Sequence, residues 1–141
     1  MNLRRQAEIL RFIKYCMVGG LNTLLTLGVI FLCKSVFGID PYVSNAAGYV
    51  VGLVNSFMWN KRWVFRSQGT YRREAVRFVL GFVVCYALQL GAVWMLNRSP
   101  FGLIEIDLGM IVISGYGLAT LLGNILYTLA NFLYNRLVTF R

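Results

Sequence analysis

The chain has 141 residues, of which 58% are hydrophobic and only 13% charged. Soluble domains carry about 25% charged residues, so the composition excludes an ordinary soluble fold. Fourteen Lys and Arg against five Asp and Glu, with no histidine, leave a net charge of +9. That balance would suit a nucleic-acid partner only if the cations formed one patch, and they are instead confined to the ends of apolar runs.

In chain order, Arg4, Arg5, Arg11 and Lys14 precede the first uncharged run, the 19 residues of Tyr15–Cys33. A helix rising 1.5 Å per residue needs about 20 apolar residues to cross roughly 30 Å of hydrocarbon. No small-residue cleavage site follows this run, so it reads as a retained span rather than a signal peptide. A short connection holding Gly38 and Pro41 leads to a second run, Val43–Trp59. The polar loop 60–77 separates it from a third, Phe78–Leu96. A connection with Pro100 and Gly102 precedes the last stretch, which is uncharged from Leu108 to Asn135.

The expectation is an all-α membrane protein with four transmembrane helices over about 15–33, 43–59, 78–96 and 108–133. In lipid every backbone polar group must be paired inside the chain, which makes helix the available choice. No connection is long enough for a second domain, so 1–141 is expected to be one. Twelve of the fourteen cations fall before the first run, in loop 60–77, or after the fourth, with Lys34 and Arg98 on the other side. Short loops rich in Lys and Arg stay in the cytoplasm, which predicts cytoplasmic N- and C-termini and a cytoplasmic 60–77 loop. Attraction to anionic headgroups is a by-product of the same charges. Cys16, Cys33 and Cys85 lack paired spacing and read as small buried hydrophobes, not as a disulfide or metal set.

One phrase occurs twice. "FMWNKRWVFR" at 57–66 and "FLYNRLVTFR" at 132–141 share Phe, an aromatic, Asn, a cation and a closing Phe-Arg, 75 residues apart. Ser44-xxx-Gly48 and Ala119-xxx-Gly123 repeat with the same offset. Small residues four apart let membrane helices approach closely. These echoes predict two parallel-repeat helical hairpins related by an axis along the membrane normal. Trp59, Tyr134, Lys61, Arg62 and Arg136 suit the headgroup level as ordinary anchors, but anchoring does not account for Asn60, Asn135 or the fixed Phe-Arg tail.

Amides and hydroxyls also run along the spans: Asn22 and Thr23 on the first, Asn55 on the second, Gln89 on the third, Asn124 and Asn131 on the fourth. Such groups are costly in a membrane unless they face protein or water. They read either as interhelical glue, on the order of 0.6 kcal/mol per contact, or as a groove that hydrogen-bonds sugar hydroxyls. Enzyme chemistry finds no support: there is no histidine, no carboxylate pair within a span, no phosphate-cradling glycine motif and no metal-ligand cluster. No catalytic residue, metal or cofactor is therefore expected. The lack of an intramembrane Asp or Glu argues against a proton-coupled small-molecule exporter.

"RFIKYCMVGGLNTLLT" at 11–26, "NSFMWNKRWVFR" at 55–66 and "NFLYNRLVTFR" at 131–141 resemble, in order, the three motifs of the GtrA-like family of small bacterial membrane proteins. The resemblance covers Arg11 to Arg141. It implies four helices in the bacterial cytoplasmic (inner) membrane and a flippase for polyprenyl-phosphate-linked sugar, carried from the cytoplasmic to the periplasmic leaflet for cell-surface polysaccharide. It also implies a membrane glycosyltransferase as partner. Residue by residue, Lys14, Lys61, Arg62 and Arg136 would meet the lipid phosphate. Asn22, Thr23, Asn55, Asn60, Asn124, Asn131 and Asn135 would line the sugar's path, with Trp59 and Tyr134 stacking on it. Leu80 stands where the first span has Lys14, so a strictly symmetric site is not expected. A homodimer is the expected assembly, and a non-transporting anchor for the glycosyltransferase is the alternative function.

Overall fold

The computed structural model describes residues 3–107, 109 and 112–141. Helix α1 (Leu3–Phe31) runs into a π-helical turn at Leu32–Val36, and α2 (Pro41–Trp59) into a second at Asn60–Val64. After α3 (Tyr71–Arg98) come a 3-10 turn (Pro100–Leu103) and the short strands β1 (Glu105–Asp107) and β2 (Val112–Ser114). Helix α4 (Gly115–Tyr134) then ends in a third π turn, Asn135–Thr139. The chain divides into two compact units, Met1–Gly69 with Phe140, and Thr70–Thr139 with Arg141. Each holds one helical hairpin, α1 against α2 and α3 against α4.

Among the described residues three segments are long and apolar enough to cross a membrane: Leu3–Val36, Tyr71–Arg98 and Gly115–Thr139. Helix α2 is shorter, at 19 residues, and its apolar character is diluted by Ser44, Asn45, Asn55 and Ser56. Large side chains such as Leu24, Val50, Leu88 and Leu121 lie on the outside, as helices facing hydrocarbon present them. Val18, Phe57, Val64 and Phe140 are buried in the first unit, and Phe78, Cys85, Ala119 and Phe132 in the second.

Close approach of the helices is what holds each hairpin. Ser44, Gly48, Ala119 and Gly123 are all buried. A Cβ at Gly48 would stand 2.5 Å from Ile30 Cγ1 and 3.0 Å from the Thr26 carbonyl oxygen. One at Gly123 would stand 2.6 Å from Val93 Cγ2. Without a hydrophobic drive between helices in lipid, this backbone proximity and its dispersion contacts supply the association energy.

Hydropathy located the lipid-compatible part of each helix rather than its ends. Helix α1 starts at Leu3, not near residue 15, and α3 at Tyr71, not near 78. In α3 the charged first turns are helical because Glu74 and Phe78, four apart, bury one common face. Loop 60–77 thereby shrinks to the bend 65–70 between the π turn and α3. The fourth helix starts at Gly115 rather than 108: Val112–Ser114 pairs antiparallel with Glu105–Asp107, and the Ser114 hydroxyl accepts from the Gly117 N–H at 3.2 Å to cap the helix. Its expected start at Leu108 lies outside the described residues. Helix α2 begins where Asp40-Pro41 dictates. Asp40 Oδ1 accepts from the N–H groups of Tyr42 and Val43 at 2.9 and 3.2 Å, and Pro41 takes the first helical position, whose N–H needs no partner.

Candidate functional site

The repeated phrase takes the same local structure in both units. An α-helix ends at the aromatic residue, Trp59 or Tyr134, and a five-residue π turn begins at the following Asn. The Phe closing the phrase comes next. In the first copy the Phe65 N–H donates to the Asn60 carbonyl at 2.9 Å and the Ser67 N–H to the Lys61 carbonyl at 2.9 Å. Between them Arg66 adopts φ +50°, the left-handed conformation that lets the chain turn back.

Both asparagines are enclosed, Asn60 at 1% exposure and Asn135 at 0%. Asn60 Nδ2 donates back one turn to the Ser56 carbonyl at 2.8 Å and to Ser56 Oγ at 3.3 Å. Asn135 Nδ2 donates to Asn131 Oδ1 at 3.3 Å, and Asn131 Nδ2 in turn to the Tyr127 hydroxyl at 3.3 Å. In each copy the side-chain oxygen, Oδ1, has no hydrogen-bond partner among the described residues. A buried acceptor left unmade costs about 1–3 kcal/mol, and here the same position carries that cost twice.

The cations beside these amides are not alike. Lys61 is 2% exposed and its Nζ donates to the Gly69 carbonyl at 2.6 Å, which ties the bend 65–70 to the π turn. Arg62 is exposed and Arg136 half-buried. Lys14 on α1 places its Nζ 5.3 Å from the centroid of Trp63, a cation–π distance. Trp63 also meets Trp59 edge-on at 6.1 Å. Tyr15 and Phe65 meet at 6.5 Å, and the Phe140 ring, which groups with the first unit, stacks on Phe57 at 5.9 Å and Phe65 at 5.1 Å. In the first unit, then, Lys14 and Trp59 both meet Trp63, within the same turn of chain that carries Asn60, Lys61 and Arg62. Tyr134 is half-buried and its ring lies directly on Gly81 of α3.

The amides deeper in the helices pair across each hairpin. Asn55 Nδ2 donates to Asn22 Oδ1 at 3.3 Å, one turn from where Thr26 Oγ1 lies against Gly52. Gln89 Nε2 donates to Asn124 Oδ1 at 2.5 Å. The hydroxyls of Thr23, Thr120 and Thr128 bond to carbonyls of their own helix, which satisfies them without an outside partner. Thr23 is exposed and does not share the Asn22 contact. Sequence reasoning overlooked Trp63 and the pairing of Gln89 with Asn124.

Residues 14–140 match the family model for the GtrA/DPMS transmembrane domain. Among similar proteins is the uncharacterized membrane protein YngA of Bacillus subtilis, 34% identical over 71 residues, 48% of this chain and 45% of that protein. The cell wall teichoic acid glycosylation protein GtcA of Listeria monocytogenes is 29% identical over 75 residues, 53% of this chain and 52% of its own. A prophage bactoprenol-linked glucose translocase homolog of Escherichia coli is 31% identical over 87 residues, 62% of this chain and 69% of its own. The chain thus spans about half the length of the first two.

Proposed function

Because the chain belongs to the GtrA/DPMS transmembrane family, we propose that it moves a polyprenyl-phosphate-linked monosaccharide from the cytoplasmic to the periplasmic leaflet, for modification of a cell-surface polysaccharide. The observation that carries this reading is the pair of buried asparagines, Asn60 and Asn135, whose Oδ1 atoms lack partners among the described residues, with Arg62 two residues after the first and Arg136 next to the second. An acceptor beside a cation matches a sugar hydroxyl beside a phosphate. The printed names of the Escherichia coli and Listeria relatives, a bactoprenol-linked glucose translocase homolog and a teichoic acid glycosylation protein, support the same substrate class.

In this reading the protein is a single domain with α2 as a fourth span, both termini face the cytoplasm, and the site lies at the cytoplasmic rim of a bacterial inner membrane. Lys14, Arg62 and Arg136 meet the phosphate. Lys61, held on the Gly69 carbonyl, shapes the bend behind them. Asn60 and Asn135 receive the sugar, with Trp59 and Tyr134 beside it, and Asn22, Thr23, Asn55, Asn124 and Asn131 continue the path inward. The protein transfers without catalysing a bond change, and a membrane glycosyltransferase supplies its substrate. A homodimer is the proposed assembly.

Leaflet transfer tests it. Purified protein is reconstituted in liposomes with a polyprenyl-phosphate hexose, and the head group's accessibility to an impermeant probe is followed. Wild type should expose the inner pool; N60A/N135A should not, while melting as wild type does in detergent. Transfer by that variant at the wild-type rate would refute the assignment. The mutual pairing of Asn22 with Asn55 and Gln89 with Asn124 favours one second reading, a non-transporting anchor for the glycosyltransferase. Absence of transfer by wild type, with co-purification of such an enzyme, would establish the anchor instead.

A further inference from the structure

A groove of about 450 Å³ lies at the start of α3, lined by Thr70, Arg72, Arg73, Val76 and Arg77. None of these residues belongs to the site above, and all lie within one unit. The groove places three guanidinium-bearing side chains around the methyl groups of Val76 and the apolar stems of the arginines. Arg77 Nη1 donates to the Val138 carbonyl at 3.0 Å, which anchors one wall. Arg72 and Arg73 are exposed and make no hydrogen bond or ion pair among the described residues. The acid nearest in sequence, Glu74, is buried at 3% exposure and does not line the groove. Like charges lining one groove repel, and an anion among them relieves that repulsion. The first turn of α3 adds its unsatisfied N–H groups and positive dipole end.

We propose that this groove binds the phosphate head of a lipid. The guanidiniums take the phosphate oxygens, which their planar forks fit two at a time, while Val76 and the arginine stems take the first methylenes of the chain. An aqueous inorganic anion would use the rim and leave the apolar wall uncovered, whereas a phosphate-headed lipid covers both. The site requires only that α3, one of the segments able to cross a membrane, enter the bilayer with Tyr71 near headgroup level. It therefore stands or falls separately from transport. The same chemistry is offered by an anionic phospholipid of the bulk bilayer and by a polyprenyl monophosphate.

The full chain in detergent is titrated with phosphatidylglycerol, polyprenyl monophosphate or phosphatidylcholine, reading thermal stabilisation and lipid retained in native mass spectrometry. The two phosphate lipids carrying net negative charge should bind, and the zwitterionic phosphatidylcholine should not. R72Q/R73Q changes two exposed residues and should fold; its affinity for the anionic lipids should fall roughly twenty-five-fold, about fivefold for each interfacial arginine removed. R4Q/R5Q removes equal charge elsewhere and should keep wild-type affinity. Equal loss in both variants means diffuse attraction to the whole basic face and overturns the site, as does equal retention of phosphatidylcholine. Polyprenyl monophosphate that resists competition by excess phosphatidylglycerol identifies the carrier lipid as occupant; full displacement identifies bulk phospholipid.

Discussion

Replacing Gly48 by Ala isolates the contact that holds the first hairpin. The added Cβ would stand 2.5 Å from Ile30 Cγ1, 3.1 Å from Ile30 Cδ1 and 3.0 Å from the Thr26 carbonyl oxygen. Carbon atoms rest at about 3.5–4.0 Å, so Ile30 must move by about 1 Å or the helices must part. Ile30 can rotate, but the Thr26 carbonyl belongs to α1 itself and cannot. Overpacking of this kind costs about 1–3 kcal/mol, while Ala in place of Gly returns about 1 kcal/mol of helix propensity. The net expectation is a loss of about 1 kcal/mol. Gly28→Ala is the control, since a Cβ there meets nothing within 4 Å. It keeps the propensity gain, so the two variants should differ by the steric term alone, about 1–3 kcal/mol. Unfolding in mixed micelles on an SDS gradient, followed by tryptophan fluorescence, reads both. In an Ile30→Ala background Gly48→Ala should cost less than it does in wild type, because only the Thr26 conflict would remain. Equal stability of the two single variants, or an undiminished Gly48→Ala cost in that background, would refute the packing argument.

A double-mutant cycle replacing Asn22 and Asn55 by Leu should give a coupling energy near 0.6 kcal/mol in the same micelle titration; a value of zero would mean the 3.3 Å contact holds nothing. Lys61→Met removes a charged donor from the Gly69 carbonyl, a bond of about 1.5–3 kcal/mol, and should speed proteolytic cutting within 66–70 in detergent; an unchanged cutting rate would show that the bend is held otherwise. Arg66→Gly should be neutral or stabilising by up to about 1 kcal/mol, because its φ of +50° suits glycine without strain. Arg66→Val should destabilise, its β-branch being the poorer fit there, and the order of the two melting temperatures decides the point.

The composition and the alternation of uncharged runs with basic ends were enough to read a mostly helical membrane protein, because a bilayer imposes length and polarity on each segment independently of its neighbours. The small-residue pairs at Ser44, Gly48, Ala119 and Gly123 were legible for the same reason: close approach in lipid demands them wherever the partner helix lies. Helix ends were not legible. The charged start of α3 is helical only because Glu74 and Phe78 find a buried face, and α4 waits until Gly115 because residues 112–114 are taken by β1. The character of the candidate site was settled by packing as well. Sequence alone treats Lys61 and Arg62 as one basic pair, yet the π turn rotates Lys61 inward onto the Gly69 carbonyl and leaves Arg62 outside. It likewise lists Asn55 and Asn60 together, while the fold pairs Asn55 with Asn22 and leaves the Asn60 oxygen unpartnered. Residue type sets what a side chain can donate or accept. Only the neighbours brought to it across the hairpin decide whether that capacity is used inside the protein or kept for a ligand.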